Sequence, residues 1–217
     1  MKRLAILSTH PIQYNAPLFR MLAQEESIDL KVFYSKKTEQ VRFDKDFGQE
    51  VTWDVPLTEG YLNESFDAKE KAGRNQLMTS IESFNPSALL VFGWNFDGHL
   101  AAMRHFHGSV PVWFRGDSTL LDALPFWKRT LRKLSLNWVY RFVDRAFYVG
   151  QANKRYFLWC GLKEDQLTYA PHAVDNEFFM KDDEERKKEA LDIRNELEID
   201  SEATVFLFAG KLEAKKQ

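Results

Sequence analysis

Residues 3–34, RLAILSTHPIQYNAPLFRMLAQEESIDLKVFY, begin and end with apolar runs of the kind that form buried strands. The first run, 3–8, is almost continuously apolar, which is typical of a central strand in a parallel sheet. The second run, 28–34, alternates between polar and apolar residues. Between them, Asn15 and Pro17 indicate the start of a helix, because proline is tolerated just inside a first turn. Strand, loop, helix and strand in this order predict a βαβ unit.

The same alternation of strands and helices continues after this unit. A polar segment, 35–71, interrupts it, and within that segment a short alternating run, 51–55, predicts an edge strand. Repeated strand and helix signals favour an α/β fold with a doubly wound parallel sheet. The other predicted strands lie at 88–92, 110–114, 145–149 and 167–170, and the predicted helices at 75–84, 97–105, 126–142 and 151–159.

The composition of the chain narrows its class and its surroundings. Among 217 residues, 44% are hydrophobic and 29% are charged, which is ordinary for a globular domain, and the net charge of -2 gives no reason to expect a nucleic-acid partner. The single cysteine, Cys160, excludes an intrachain disulfide and a cysteine zinc cluster and indicates a reducing compartment. No stretch approaches the roughly 20 apolar residues of a membrane helix. We therefore expect a cytoplasmic protein, at most peripheral on a membrane.

Polar and aromatic side chains follow the predicted strands, at the edge of a parallel sheet where such folds bind their ligands. We therefore expect a ligand-binding cleft at this edge. The candidate residues are His10, Gln13, Tyr14 and Asn15 after the first strand, Trp94 and Asn95 after 88–92, Arg115 and Asp117 after 110–114, and His172 after 167–170.

A structural role is the alternative for each group of candidates. The loop after the first strand can have no role beyond starting the helix that follows it. Arg115 and Asp117 can form a salt bridge that holds a turn, and Trp94 can belong to the core. The sequence leaves these alternatives open.

Motifs for several other classes of enzyme are absent from the sequence. It contains no GxSxG elbow, no Walker loop and no GxGxxG, which argues against hydrolases, kinases and dinucleotide-binding enzymes. No carboxylate or cysteine pattern accompanies His99, His105 and His107, so surface or structural roles are favoured for them over metal binding. We expect neither a metal nor a cofactor.

A basic, aromatic stretch covers residues 127–145. A helix of this kind can lie on an anionic membrane, or its apolar side can be core while its charges face water. Its one acid is Asp144, its cations are Lys128, Arg129, Arg132, Lys133, Arg141 and Arg145, and its apolar side is formed by Trp127, Leu131, Leu134, Trp138 and Phe142.

The C-terminal part begins with a charged segment, 182–197, which predicts a solvated linker helix. An apolar run, 204–209, then predicts a buried strand, followed by a glycine and the cations Lys211 and Lys216, a pattern that can present charge to a phosphate. A buried strand needs neighbours, so we expect the start of a second domain. The predicted division is 1–180, a linker at 181–203, and the start of this second domain at 204–217.

Three stretches together resemble the glycosyltransferase family 4 group, which are retaining enzymes of the GT-B fold. The passage 146-AFYVGQANKRYFLWCGLKEDQLTYAPHAVDNEFF-179 is similar to the one that closes the family's N-terminal domain, and 208-FAGKLEAKK-216 to the loop that opens its C-terminal domain. The start, 7-LSTHPIQYNAPLFRMLA-23, is similar to one branch of these enzymes. The resemblance covers nearly the whole chain, but only the first half of a family member.

This resemblance implies the acceptor-side domain of a hexosyltransferase that moves a sugar from a nucleotide-sugar donor to a glycan or lipid-linked acceptor. Lys211 and Lys216 match the positions that bind the donor diphosphate, where fixed cations stabilise the charge of the leaving group. The chain departs from the family in lacking a glycine-rich loop after the first strand. It also has 115-RGD-117 where many members have a histidine. These departures leave the acceptor pocket and the catalytic residues unassigned.

Two other functions fit the same residues. A non-catalytic module could bind a glycan or a partner protein, and another GT-B enzyme, such as a sugar-nucleotide epimerase, could share the fold. Under the transferase hypothesis the 217-residue chain alone should be inactive, because most of the donor site is missing.

Overall fold

The computed structural model describes residues 1–37, 42–44, 49–51, 56–121, 125–180, 184–200 and 202–208. The chain divides into two compact units, Met1–Val174 and Asp175–Gln217. The cations predicted to bind a donor diphosphate, Lys211 and Lys216, lie outside the described residues. The predicted boundaries at 180 and 203 stay predictions.

Parallel strands form the main sheet of the first unit. Seven strands of the described chain belong to it, in the order β5-β2-β1-β6-β7-β8-β9, while β3 and β4 pair antiparallel by themselves. The strands are β1 (Lys2–Ser8), β2 (Ile28–Tyr34), β3 (Arg42–Asp44), β4 (Gln49–Val51), β5 (Leu62–Ser65), β6 (Ala88–Phe92), β7 (Val112–Arg115), β8 (Arg145–Tyr148) and β9 (Leu167–Tyr169).

The central strand β1 is buried on both of its faces. It pairs with β2 through Leu4 and Leu30 and with β6 through Leu4 and Ala88. Successive side chains of a strand point to opposite faces. Ala5 accordingly packs in the larger of two apolar clusters and Ile6 in the smaller one. This explains the nearly continuous apolar run, since a strand covered on both sides cannot alternate with polar residues.

Helices cover both faces of this sheet. Phe19 of the first helix packs in the smaller cluster, whereas the next four helices contribute Leu77, Met103, Leu136 and Phe157 to the larger one. The predicted doubly wound α/β fold is therefore confirmed. The helices are α1 (Ala16–Gln24), α2 (Lys71–Phe84), α3 (His99–Phe106), α4 (Phe126–Tyr140), α5 (Gln151–Trp159), α6 (Asn176–Phe179) and α7 (Glu184–Glu196).

Most predicted elements lie where the sequence places them. Strands β2 and β6 and helix α5 have the predicted bounds, and Pro17 lies in the first turn of α1. Helix α2 begins four residues earlier than predicted, at Lys71 rather than residue 75, and ends before Asn85 and Pro86 as expected. Asn85 adopts the left-handed conformation, with φ of 51°, which asparagine tolerates better than most residues.

The predicted edge strand at 51–55 is described only at Val51. The strand at that edge of the sheet is β5, which pairs with β2 from Lys31 opposite Leu62. Within the described residues, Val51 belongs instead to β4, opposite Arg42 of β3, and residues 52–55 lie outside them. Strand β5 reads LNES and is held by polar contacts, with Lys31 Nζ 2.9 Å from a carboxylate oxygen of Glu64.

The second unit contains two helices in its described part. Asp175 caps α6 by accepting a hydrogen bond from the backbone N–H of Phe178 at 3.0 Å. Helix α7 buries no residue, which confirms the predicted solvated helix. The described part of the predicted strand, 204–208, has no strand pairing, and Phe206 is 94% exposed. An apolar strand without a neighbouring strand has no ladder to complete, so this prediction is not confirmed.

No helix in the described part of the chain has the length and apolar character needed to cross a membrane.

Close packing at the start of α2 gives a prediction about stability. A methyl group added at Gly73 would lie 1.9 Å from the backbone carbonyl oxygen of Asp67, so the turn before α2 would have to move. We expect Gly73→Ala to lower the free energy of unfolding by about 1–3 kcal/mol, although alanine is the better helix former. Urea unfolding followed by circular dichroism measures this change.

The matched control is Gly150→Ala, because a methyl group at Gly150 would meet no atom within 4 Å. We expect this variant to stay within about 0.5 kcal/mol of the unchanged chain. Equal stability of the two variants would contradict the packing argument.

Candidate functional site

The sheet reverses its winding direction between β1 and β6. From β1 the chain moves outward to β2 and β5, and then crosses back to β6 and continues to β9 on the other side. The loops that leave β1 and β6 at their carboxyl ends therefore separate, because they lead to opposite faces of the sheet. In open α/β sheets the crevice at such a switch point is where ligands bind. The candidate site of this chain consists of the loops along this edge.

The loop after β1 is anchored at its base. Thr9 is buried, and its carbonyl oxygen accepts a hydrogen bond from the backbone N–H of Lys36 at 2.9 Å. Its hydroxyl lies 2.9 Å from Nδ1 of His10. His10 and Gln13 are both half-buried. The structure thus places these two candidates in the loop at the switch point, and their role in binding stays a prediction.

Tyr14 and Asp117 are brought together from two different loops. Burial raises the pKa of the Tyr14 phenol, and the negative charge of Asp117 raises it further. About half of Tyr14 remains exposed, and Asp117 is exposed as well. A phenol and a carboxylate that face solvent across a crevice can both hydrogen-bond to sugar hydroxyl groups.

Asn15 is buried and takes part in the start of α1. Its backbone carbonyl accepts from the N–H of Phe19 at 3.0 Å, and its own N–H donates to Ile12 at 2.9 Å. It occupies the N-cap position as predicted, but its side chain makes no capping hydrogen bond. The contacts of Asn15 in the structure are thus those of a helix start.

The loop after β6 begins with a sharp turn at Gly93. Its φ of 75° lies in the left-handed region, and a methyl group there would come within 2.6 Å of the Phe96 ring. Trp94 packs against the larger core cluster, which is the structural alternative left open by the sequence. Asn95 is exposed beside it. Of this pair, Asn95 is the side chain more available to a ligand.

Arg115 ties the end of β7 to the end of β9. Its guanidinium donates to the carbonyl oxygens of Ala170 at 2.9 Å and Pro171 at 3.0 Å. Burial lowers the pKa of Arg115, and the nearby charge of Asp117 opposes this effect. Both residues lie in the described part of the chain and form no ion pair with each other, so this clamp takes the place of the salt bridge that the sequence left open as an alternative. His172, which follows the clamped carbonyls, is exposed.

His99 is a buried histidine at this edge, to which the sequence assigned only a surface or structural role. Its Nδ1 lies 2.8 Å from the carbonyl oxygen of Gly93, and its Nε2 lies 3.1 Å from the Ser35 hydroxyl. Because a carbonyl can only accept, Nδ1 carries the proton and the Ser35 hydroxyl donates to Nε2. His99 therefore connects the carboxyl ends of β2 and β6 beneath the switch point. No local motif marks it, because its partners are distant in sequence.

The other two histidines of α3 lie apart from the site. Nε2 of His105 is 2.6 Å from Glu82, and the ring of His107 packs edge-to-face against Phe142. Within the described residues there is no group of three histidine, cysteine, aspartate or glutamate side chains that could hold a metal ion.

Comparison with known proteins gives matches at the level of structure. No family model matches the sequence, and no curated protein matches it. HepE of Anabaena in complex with UDP-glucose superposes with a TM-score of 0.58 at 14% identity, covering 91% of this chain and 50% of that chain. A UDP-GlcNAc 2-epimerase from Neisseria meningitidis bound to UDP-GlcNAc gives 0.52 at 20% identity, covering 91% and 52%. MnaA of S. aureus with UDP gives 0.52 at 16% identity, covering 85% and 49%.

These matches show the fold. The chain has the Rossmann-like α/β fold of a GT-B domain, and it spans about half the length of the structures it matches. The seven-stranded parallel sheet of the described residues corresponds to this fold. The sequence identities are too low to support any statement beyond the fold.

Burial of His99 predicts a loss of stability at acidic pH. Burial lowers the pKa of His99 to about 4, and the surrounding carbonyls only partly oppose this. The unfolded chain binds this proton near the ordinary pKa of about 6.5. Stability is therefore expected to fall as the pH drops from about 6.5 to about 4, by up to about 3 kcal/mol from this group. Urea unfolding across this pH range measures the slope.

His99→Gln should flatten this pH dependence, because glutamine does not titrate, even if the variant is less stable at pH 7. The control is His107→Gln, an exposed position just after the same helix, which should keep the slope of the unchanged chain. Equal slopes for all three proteins would show that His99 is not responsible.

The electrostatic effect of Asp117 on Tyr14 predicts a second titration effect. Asp117→Asn should lower the pKa of Tyr14, because the phenolate would no longer face a negative charge, while burial would keep the pKa above its ordinary value. NMR titration of ¹³Cζ-labelled tyrosine follows this change, and Tyr14→Phe assigns the signal. The control is Asp165→Asn, which changes an exposed aspartate just before β9. An unchanged Tyr14 titration in Asp117→Asn would refute the juxtaposition.

Proposed function

We propose that this chain is the acceptor-side, N-terminal domain of a retaining glycosyltransferase of family 4. The complete enzyme would transfer a hexose from a nucleotide-sugar donor to a glycan or a lipid-linked acceptor, in the biosynthesis of a cell-surface polysaccharide on the cytoplasmic side of the membrane. The observation that carries the proposal is the likeness of nearly the whole chain to HepE, whose structure holds UDP-glucose. The passage 146–179 and the loop 208–216 support it from the sequence.

The switch-point crevice suits an acceptor in this proposal. Its side chains include exposed Asn95 and Tyr14 and half-buried His10, and the carboxylate of Asp117 acts electrostatically on Tyr14. Such groups hydrogen-bond to hydroxyls, whereas a diphosphate requires several cations. Arg115, an arginine at this edge, already donates to two carbonyls. The donor diphosphate is thus assigned to Lys211 and Lys216, as the family resemblance implies, where fixed cations would stabilise the leaving group.

A sugar-nucleotide epimerase is the second candidate. The likeness to UDP-GlcNAc 2-epimerases supports it equally, since HepE and these enzymes match the chain over a similar share of its length. An epimerase needs no acceptor, so the exposed crevice around Tyr14 and Asp117 favours the transferase.

The two candidates predict different products, which can be separated by one assay. The 217-residue chain and the complete product of its gene are incubated with radiolabelled UDP-glucose or UDP-GlcNAc and a membrane extract that contains acceptors. Transfer releases UDP and moves label into the glycan or lipid fraction. Epimerisation leaves the label in a nucleotide sugar of altered configuration.

We expect transfer by the complete product and none by the 217-residue chain. Accumulation of an epimerised nucleotide sugar, without release of UDP, would replace the proposal by its alternative. Binding of a glycan with neither reaction, in the complete product, would instead indicate a non-catalytic module. Transfer by the 217-residue chain at the rate of the complete product would contradict its assignment as the acceptor-side domain alone.

A further inference from the structure

Helix α4 presents a stripe of large apolar side chains to solvent. The helix packs its opposite side in the core through Leu136, Val139 and Tyr140, so its apolar residues are divided between two faces. The sequence left open whether the apolar side of this stretch is core, and for four of the five residues concerned it is not. The exposed stripe consists of Trp127 (60% exposed), Leu131 (60%), Leu134 (62%) and Trp138 (43%), and Phe126 (85%) lies at the start of the helix.

The spacing of these residues makes the stripe continuous. Trp127, Leu131, Leu134 and Trp138 stand at positions i, i+4, i+7 and i+11, which superpose on one side of an α-helix at about 100° per residue. By the same count Leu136 lies on the opposite side, which is the side buried in the structure. Single exposed apolar residues are common on protein surfaces, but a contiguous stripe indicates an interaction site.

Helix α4 carries cations and no acid. Its sequence, FWKRTLRKLSLNWVY, contains four basic residues and no acidic one, although the whole chain has a net charge of -2. Lys128 is exposed beside Trp127, and its Nζ lies 5.2 Å from the centre of that ring. Arg104 of α3 reaches to 5.5 Å from the ring centre of Trp138. These two cations border the apolar stripe, whereas the other three basic residues of α4 lie within 6.0 Å of aromatic ring centres of α5, on the other side of the helix.

We propose that this face of α4 docks on the surface of an anionic lipid bilayer. Tryptophan is favoured at the level of the lipid headgroups, leucine adds apolar area that reaches the acyl chains, and lysine and arginine bind the anionic headgroups. The inference deepens the proposed function by naming the lipid class and the residues for a peripheral contact through 127–145.

Two other occupants of this face fit less well. A second copy of the chain, paired through the same face, would bring Lys128 and Arg104 of one copy near those of the other, and like charges repel. A nucleic acid would match the cations, but its phosphates would leave Leu131 and Leu134 without a partner. Anionic lipid satisfies both the apolar and the charged groups.

Vesicle binding tests this inference on the 217-residue chain, without any assay of sugar transfer. The protein is sedimented with vesicles of phosphatidylcholine alone and of phosphatidylcholine with 30% phosphatidylglycerol. We expect binding to the anionic vesicles, at least about tenfold weaker binding to neutral ones, and a decrease as salt is raised. A failure of transferase activity would leave this result unaffected, and the reverse also holds.

Substitutions on two helices separate a specific surface from general stickiness. Leu131→Ser with Leu134→Ser should weaken binding to anionic vesicles by about tenfold or more, and Lys128→Gln by about fivefold. The matched controls lie on α7, where Leu191→Ser and Lys188→Gln change equally exposed residues and should leave binding unchanged. Circular dichroism verifies that each variant is folded.

Three results would overturn the inference. The first is the absence of binding to anionic vesicles, or binding that the α4 and α7 variants reduce equally. The second is a dimer in sedimentation velocity that Leu131→Ser with Leu134→Ser dissociates, which would make the face an interface between copies. The third is binding of single-stranded or duplex nucleic acid at physiological salt that the same variants abolish.

Discussion

Burial of β1 on both faces is the constraint from which the architecture follows. Ala5 and Leu7 pack on one side and Ile6 on the other, so neither face of the strand can be left to water. Helices must then cover both sides, and right-handed connections achieve this only if the chain winds outward in one direction and later in the other. That reversal creates the crevice between β1 and β6. The candidate site is therefore a consequence of how the central strand is buried.

The floor of this crevice contains buried polar side chains, which must find hydrogen-bond partners within the protein. Ser8, Thr9, Ser35 and His99 are all buried at the carboxyl edge, and an unpaired polar group in such a place costs about 1–3 kcal/mol. Within the described residues, no buried side-chain nitrogen or oxygen lacks a hydrogen-bond partner. The His99 ring uses both nitrogens, one toward β6 and one toward β2. The hydrogen bonds of these buried groups thus fix the position of the loops that carry candidate side chains such as half-buried His10.

Local patterns predicted the parts of the structure that local interactions determine. The apolar runs of β1, β2 and β6 and the end of α2 before Asn85 are signals within a few residues, and these predictions are confirmed. Strand β5 was not predicted, because LNES has no apolar alternation and its Glu64 is held by Lys31 and Ser80 of other elements. The place of His99 at the site was not predicted, because its hydroxyl partner is 64 residues away in the sequence. The nature of a residue was readable from the sequence, but its long-range partner was not.

Topology links the stripe on α4 to the candidate site. In a βαβ unit the connecting helix begins at the carboxyl edge of the sheet and runs back along it. Helix α4 connects β7 to β8, so Phe126 and Trp127 lie at the end of the helix on the side of the sheet where Asp117 lies. A bilayer that covers this stripe would therefore extend to the edge of the sheet that carries the crevice. Under the proposed function, an acceptor carried on a lipid would then need only a short reach to this edge.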